Sequence, residues 1–127
     1  MNLPEVNRSI VIVRPKQPYI DWANACDDGP RKLTPQSLPN WASIYLIPEF
    51  EDEAGVRRIL KGYFHEIFEN ELYGWSTDES TWPTKRDFQT FKEWFHCEFH
   101  DFVEDLGRGE IRHESWVHWG GLSSESS

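Results

Sequence analysis

The sequence contains few of the residues on which disulfide scaffolds, structural zinc sites and membrane spans depend. Its only cysteines are Cys26 and Cys97, which lie far apart and outside any CxxC spacing. This argues against a disulfide framework and a structural zinc site, and reduced, unlinked thiols are expected. No apolar run approaches the roughly 18 residues of a membrane-spanning helix, and the N-terminal segment lacks the basic start and apolar stretch of a secretory signal. We therefore expect a cytoplasmic protein with no membrane association.

Motifs for catalysis and positive charge are also scarce. There is no glycine-rich phosphate loop, no complete metal signature and no pattern typical of a catalytic triad. The 13 Lys and Arg residues are outnumbered by 22 Asp and Glu, and the resulting net charge of −9 divides into +1 for residues 1–40 and −10 for residues 41–127. An acidic surface repels phosphate backbones, so it disfavours nucleic-acid binding and favours partners with basic faces. The balance leans away from an enzyme, and no cofactor is expected.

What the chain has in abundance is aromatic residues: seven Trp, eight Phe and four Tyr among 127 residues. A chain of this length fits one domain with one core. We expect a single α+β domain over residues 1–119. The small, polar residues 120–127 are expected to form a disordered tail.

Periodicity predicts the elements of that domain. Two β-branched runs, 9–14 and 43–48, are each closed by proline and predict strands, with a short helix at 18–26 between them. If these strands are neighbours, the crossover rule makes them parallel. A long helix is predicted from about Asp52 to Tyr73, ending at Gly74.

A second long helix is predicted after a capping-box start at Thr84. Its stripe runs from Phe88 to Leu106 at helical spacing. Weak alternation permits a third, edge strand within 110–119. The predicted fold is thus a two-layer α+β sandwich, in which two long C-terminal helices cover a small sheet of two or three strands.

Two segments are candidates for partner binding. The first, Trp75–Pro83, places two indoles around an acidic loop between rigid elements; in the alternative interpretation the indoles cover the core edge and Asp78 caps a turn. The second segment, Arg14–Tyr19, brings two cations to a helix N-terminus, which suits an anion, although a rigid turn whose cations offset nearby carboxylates is the preferred interpretation. The candidate partner-binding residues are Trp75, Asp78, Glu79, Trp82, Arg14, Lys16, Tyr19 and Trp22.

A metal-binding alternative lies on the flank of the predicted last helix. On a helix, Glu93, His96 and His100 share one flank with Glu104, and two His four residues apart can share a metal. His65, Glu66 and Glu69 on the preceding helix are further potential ligands. A solvated helix flank explains the same pattern and is preferred, so no metal site is expected.

The segments VIVRPKQPYIDW, residues 11–22, and GWSTDESTWP, residues 74–83, resemble those of a group of small bacterial proteins of unknown function. The resemblance runs from about Ser9 to Leu106. It implies a small cytoplasmic bacterial protein, and it implies no activity or catalytic residues.

The leading functional hypothesis is a non-catalytic acidic binding module, such as an inhibitor, an immunity-like protein or an accessory protein, that docks a protein partner with a basic face. Two other hypotheses remain: a metal-dependent enzyme using Glu93, His96 and His100, and an acidic mimic of DNA. Exposed indoles would indicate an interface or a homodimer.

Overall fold

Three strands and three helices make up the part of the chain that the computed structural model describes, namely residues 4–26, 33, 34, 36 and 41–113. The elements are β1 (Ser9–Pro15), α1 (Gln17–Cys26), β2 (Ser43–Ile47), α2 (Glu53–Trp75), α3 (Phe88–Trp94) and β3 (Phe95–His100), with a 3-10 turn at Glu79–Thr81 between α2 and α3. Among these residues, none of the helices combines the length and apolar composition that crossing a bilayer needs. The α+β class and the small sheet are confirmed.

The sheet has the strand order β2-β1-β3, and both pairings are antiparallel. Val13 of the central strand lies opposite Ser43 on β2 and Cys97 on β3. The predicted parallel pairing of the first two strands is therefore wrong. The crossover rule requires the connection to carry the chain back to the starting end of the first strand. Ser43 instead lies opposite Val13, at the end of the sheet where β1 finishes, so β2 runs back beside β1.

The second long C-terminal helix is also a wrong prediction. Helix α3 ends at Trp94, and the backbone is extended from Phe95 onward, where β3 begins. The reason lies in the spacing of Phe91, Phe95 and Phe99, because residues four apart lie on one side of both a helix and a strand. Central strand β1 has two edges to pair, and β3 supplies the hydrogen bonds for the second. One long helix and two shorter ones therefore make up the helical layer.

The predicted start of the long helix is confirmed. The Asp52 side chain accepts a hydrogen bond from the Gly55 backbone N–H at 2.8 Å, which satisfies one of the free donors at the helix N-terminus. The helix continues through Gly74 to Trp75, where the Ser76 N–H still donates to the Leu72 carbonyl. The predicted third strand at 110–119 is not found over 110–113, and 114–119 lie outside the described residues, as does the tail 120–127.

The core lies between the sheet and the helices, and aromatic rings fill most of it. Phe68 of α2 contacts Phe91, Trp94 and Phe95, with ring centroids 5.3 to 5.9 Å apart in tilted or edge-on geometry. Tyr19 of α1 packs on the same group from the other side. The fully buried side chains of the core are Val11, Val13, Tyr19, Ala23, Phe68, Leu72 and Phe91.

The other side of the sheet carries the alternate residues of each strand. We call this side the open face; it comprises Ile10, Ile12, Arg14, Ile44, Leu46, His96, Glu98 and His100. Its side chains are partly to well exposed, and Ile44 and Leu46 on the edge strand are 64% and 50% exposed. The open face thus has an apolar half, formed by Ile10, Ile12, Ile44 and Leu46, and a polar and charged half, formed by Arg14 and the residues of β3.

Candidate partner-binding surface

The loop after α2 is fastened to the domain by its indoles. Trp75 donates its ring N–H to the Ala23 carbonyl at 2.8 Å, and Trp82 donates to the Ser76 carbonyl at 2.9 Å. From α1, Trp22 donates to the Thr81 carbonyl at 2.8 Å. The fold therefore brings Trp22 together with the predicted Trp75–Pro83 segment. All three indole N–H groups satisfy backbone carbonyls of the chain itself, which favours a structural role for these rings.

The two acidic residues of the same loop differ in their roles, because Asp78 caps a turn and Glu79 is exposed to solvent. Asp78 accepts from the Ser80 N–H at 3.0 Å and from the Ser80 hydroxyl at 2.7 Å, so it caps the 3-10 turn. These hydrogen bonds hold the pKa of Asp78 below its ordinary value. Glu79 is exposed within the turn. The arrangement supports the alternative interpretation of this segment, in which its polar residues build the loop.

The two cations of the Arg14–Tyr19 segment each bond a different element of the fold. Lys16 donates its ammonium hydrogen bond to the Lys92 carbonyl in the last turn of α3, at 3.0 Å, where a cation complements the helix dipole. Arg14 instead lies on the open face and pairs with Glu98 at 3.1 Å. Tyr19 is fully buried and donates to the backbone carbonyl of Glu71 at 2.8 Å. The cations of this segment thus offset acceptors on other elements, as the preferred interpretation held.

The proposed metal ligands do not converge, because they are not on one helix. His96 and His100 both lie on β3, where residues four apart are separated by about 13 Å. Glu93 lies on α3 and accepts from Gln89 at 3.2 Å, and Glu104 belongs to an isolated bridge after β3. Within the described ranges, no three His, Cys, Asp or Glu side chains come close enough to hold a metal ion. The helical geometry that motivated this hypothesis is therefore absent.

Sequence reasoning missed a buried polar network between α2 and the sheet. Glu71 is only 5% exposed, and its carboxylate accepts a hydrogen bond from the Tyr45 hydroxyl. Ser43 also bonds this carboxylate, and Asn70 donates to the Tyr45 oxygen at 2.9 Å. A signal was available, because Glu71 follows Phe64, Ile67 and Phe68 at the i, i+3, i+4, i+7 spacing of a buried helix face.

Electrostatics show what this network can do. Burial raises the pKa of Glu71, although the bonds from Tyr45 and Ser43 oppose that shift. Burial and then the charge of Glu71 raise the pKa of Tyr45 on β2 and bring that of Cys97 on β3 to about 11. The phenol and the thiol therefore remain protonated at neutral pH. The network is suited to holding α2 against the sheet and lacks an activated nucleophile.

A cleft runs between the edge strand β2 and helix α2. Its helix wall is a stripe at i, i+3, i+4 and i+7 spacing, and its strand wall is the C-terminal half of β2. One hollow of about 340 Å³ is lined by Tyr45, Leu46, Ile47, Tyr63, Glu66, Ile67 and Asn70. A second, of about 420 Å³, continues past Tyr63 and is lined by Arg8, Leu46, Ile47, Pro48 and Tyr63. We call the two together the edge cleft.

The edge cleft and the open face meet at β2. Leu46 belongs to both, and Tyr63 across the cleft is also well exposed. Sequence reasoning missed this surface because the run 43–48 predicts a strand without predicting the exposure of Ile44 and Leu46. No protein-family model, no curated protein and no solved structure matches the chain.

Proposed function

We propose that this protein is a non-catalytic binding module that docks a protein partner with a basic face. The observation that carries the proposal is the apolar half of the open face. Ile44 and Leu46 are 64% and 50% exposed on an edge strand, beside the partly exposed Ile10 and Ile12 of β1. Adjacent exposed apolar side chains of this size on a sheet mark an interaction surface more often than scattered ones do.

The charge of the chain supports a partner with a basic face. The chain carries a net charge of −9, which steers basic proteins toward it and slows encounters with acidic ones. Next to the apolar half of the open face, Glu98 is paired with Arg14 at 3.1 Å and with His100 at 2.8 Å. An apolar centre bordered by charged groups is the arrangement of a protein–protein interface.

The docking surface proposed here differs from the one expected from sequence, which was the loop Trp75–Pro83. We call that segment the indole loop. That loop is held by hydrogen bonds from Trp22, Trp75 and Trp82 to backbone carbonyls, and rings fixed in this way build the domain. The metal-dependent alternative receives no support from the described residues, because His96 and His100 lie apart on a strand. The setting that we propose is the bacterial cytoplasm, where unpaired thiols such as Cys26 and Cys97 stay reduced.

The test is partner capture by matched variants. The double variant Ile44→Ser, Leu46→Ser removes the exposed apolar side chains. Phe102→Ser removes one that is 82% exposed and lies beyond the sheet. Burying the exposed part of each aliphatic side chain contributes about 1 kcal/mol, so the double variant should bind about thirtyfold more weakly. Wild type and Phe102→Ser should capture the same partner, and less of it as salt rises from about 0.05 M to about 0.5 M.

Two results would count against the proposal. Equal capture by the double variant and the wild type would show that the open face does not dock the partner. Capture that is independent of salt concentration would show that the partner is not recognised through a basic face. Circular dichroism on every variant checks that the fold is retained, which is expected because all three side chains are exposed.

A further inference from the structure

We propose that the partner is bound as an extended peptide segment that adds to the free edge of β2 as a fourth strand, with apolar side chains alternating with cationic ones. This inference rests on the proposed docking function and names its mode. Strand addition uses main-chain hydrogen bonds for affinity and pockets for alternate side chains for specificity. Both features are present at β2.

The first feature is a strand edge that has no partner strand within the described part of the chain. β2 pairs with β1 along its whole length, Ser43–Ile47, and among the described residues no strand pairs with its other side. Natural edge strands are usually protected by charged side chains, prolines or bulges. β2 carries no charged residue, and Pro48 comes only after its last residue. Its outer row of backbone donors and acceptors is a template for another extended chain.

The second feature is the edge cleft beside that edge. Side chains of an added strand would point alternately to the two sides of the sheet. Those on the helix side would enter the cleft between β2 and Tyr63, Glu66 and Ile67 of α2. Those on the other side would extend the apolar half of the open face next to Ile44 and Leu46. Five residues of β2 offer about 17 Å of edge, enough for a short peptide segment.

Charge selects among the possible occupants. Glu66 lines the first hollow of the cleft and Arg8 the second, and both are exposed. At the first hollow, beside α2, a cationic side chain on the added strand would therefore gain a partner and an acidic one would be repelled. A second copy of the chain would bring another net charge of −9. The segment 114–127 contains Glu114 and Glu125 and no Lys or Arg. Both of those occupants are therefore disfavoured against a basic segment of another protein.

The experiment titrates the isotope-labelled full chain with short synthetic peptides, followed by NMR. The first probe alternates valine and lysine, and the second replaces lysine by glutamate. The third is the valine–lysine peptide with every backbone nitrogen methylated, which removes the N–H donors from both of its edges. The first probe should shift the signals of residues 43–47 and 63–70 and slow amide exchange along β2. It should bind about tenfold more tightly than either of the other two.

Charge reversal sharpens the test. Glu66→Lys should invert the preference, so that the glutamate peptide binds more tightly than the lysine peptide. Glu79→Lys makes the same change of charge at another exposed position, on the 3-10 turn after α2, and should leave the preference as it is in the wild type. Unchanged preference in both variants would overturn the role assigned to Glu66 and to the cleft.

Other outcomes would also overturn the proposal. They are equal binding of the methylated and unmethylated peptides, no binding of any peptide at about millimolar concentration, and peptide shifts that lie away from β2. Concentration-dependent dimerisation that protects the β2 amides would assign the edge to a second copy, and contacts between 114–127 and β2 without peptide would assign it to the chain's own tail. If capture still depends on Ile44 and Leu46 while no peptide protects β2, strand addition fails and the docking function stands.

Discussion

The Trp82→Ala variant distinguishes most directly between a structural and a partner-binding role for the indole loop. The ring of Trp82 meets Tyr73 edge-on at 6.3 Å between centroids, and the Arg86 guanidinium lies 5.7 Å from the ring. Its N–H donates to the Ser76 carbonyl at 2.9 Å. Each of these interactions is lost on truncation to alanine.

The expected loss of unfolding free energy follows from the burial of the Trp82 ring and from its hydrogen bond. Truncating a fully buried Trp costs about 3 to 5 kcal/mol. Trp82 is only partly buried, so about 2 kcal/mol is expected for its ring, with about 1 kcal/mol more for the hydrogen bond. Unfolding free energy should therefore fall by about 3 kcal/mol, and Tm by about 10 °C for a chain of this length. Trp82→Phe retains most of the ring and should lose only about 1 kcal/mol.

The assay is urea denaturation of the full chain, with calorimetry as a check on two-state behaviour. Phe102→Ala is the matched control, because Phe102 is aromatic but 82% exposed, and its truncation should change stability by less than about 0.5 kcal/mol. The reasoning is refuted if Trp82→Ala is as stable as this control. If that stable variant also failed to capture the partner, the loop would be the docking surface that the sequence suggested.

Two further predictions concern Glu71 of α2 and Asp52, which caps the N-terminus of that helix. Burial raises the pKa of Glu71 above its ordinary 4.5, so the folded state holds this proton more tightly than the unfolded state does. The stability from this group is complete below about pH 4.5 and decreases as pH rises from there through the raised pKa. Glu71→Gln should lack that decrease, and parallel stability curves of variant and wild type between about pH 4 and 8 would contradict it. Asp52→Ala should cost about 1 kcal/mol in urea denaturation while Asp52→Asn costs much less, because only alanine removes the cap on Gly55; equal losses would contradict the capping role.

Features that depend on a few neighbouring residues were predicted well. The strands 9–14 and 43–48 and the helix beginning after Asp52 are present. In each case a local signal decides the element: a β-branched run stopped by proline, or a capping side chain followed by a periodic apolar stripe. Such local signals do not give strand directions, because β2 runs with or against β1 according to the end of the sheet at which Ser43 lies.

The functional residues were harder to predict than the elements. Indole rings in Trp75–Pro83 are visible in the sequence, but the carbonyls that accept their hydrogen bonds come from residues as distant as Ala23. The apolar run 43–48 predicts a strand, but it does not indicate which side of that strand is covered. Whether Ile44 and Leu46 are buried depends on β2 lying at an edge and on the helices covering only the other side of the sheet.

The sequence by itself determined the α+β class, the excess of negative charge and the aromatic composition of the core, because these depend on composition and on short-range periodicity. Only the tertiary structure decided that residues 95–100 form a strand and not a continuation of α3. The spacing of Phe91, Phe95 and Phe99 suits a helix and a strand equally, and the second edge of β1 requires a hydrogen-bonding partner. That pairing places His96 and His100 on the open face, about 13 Å apart, and leaves β2 with an unpaired edge among the described residues.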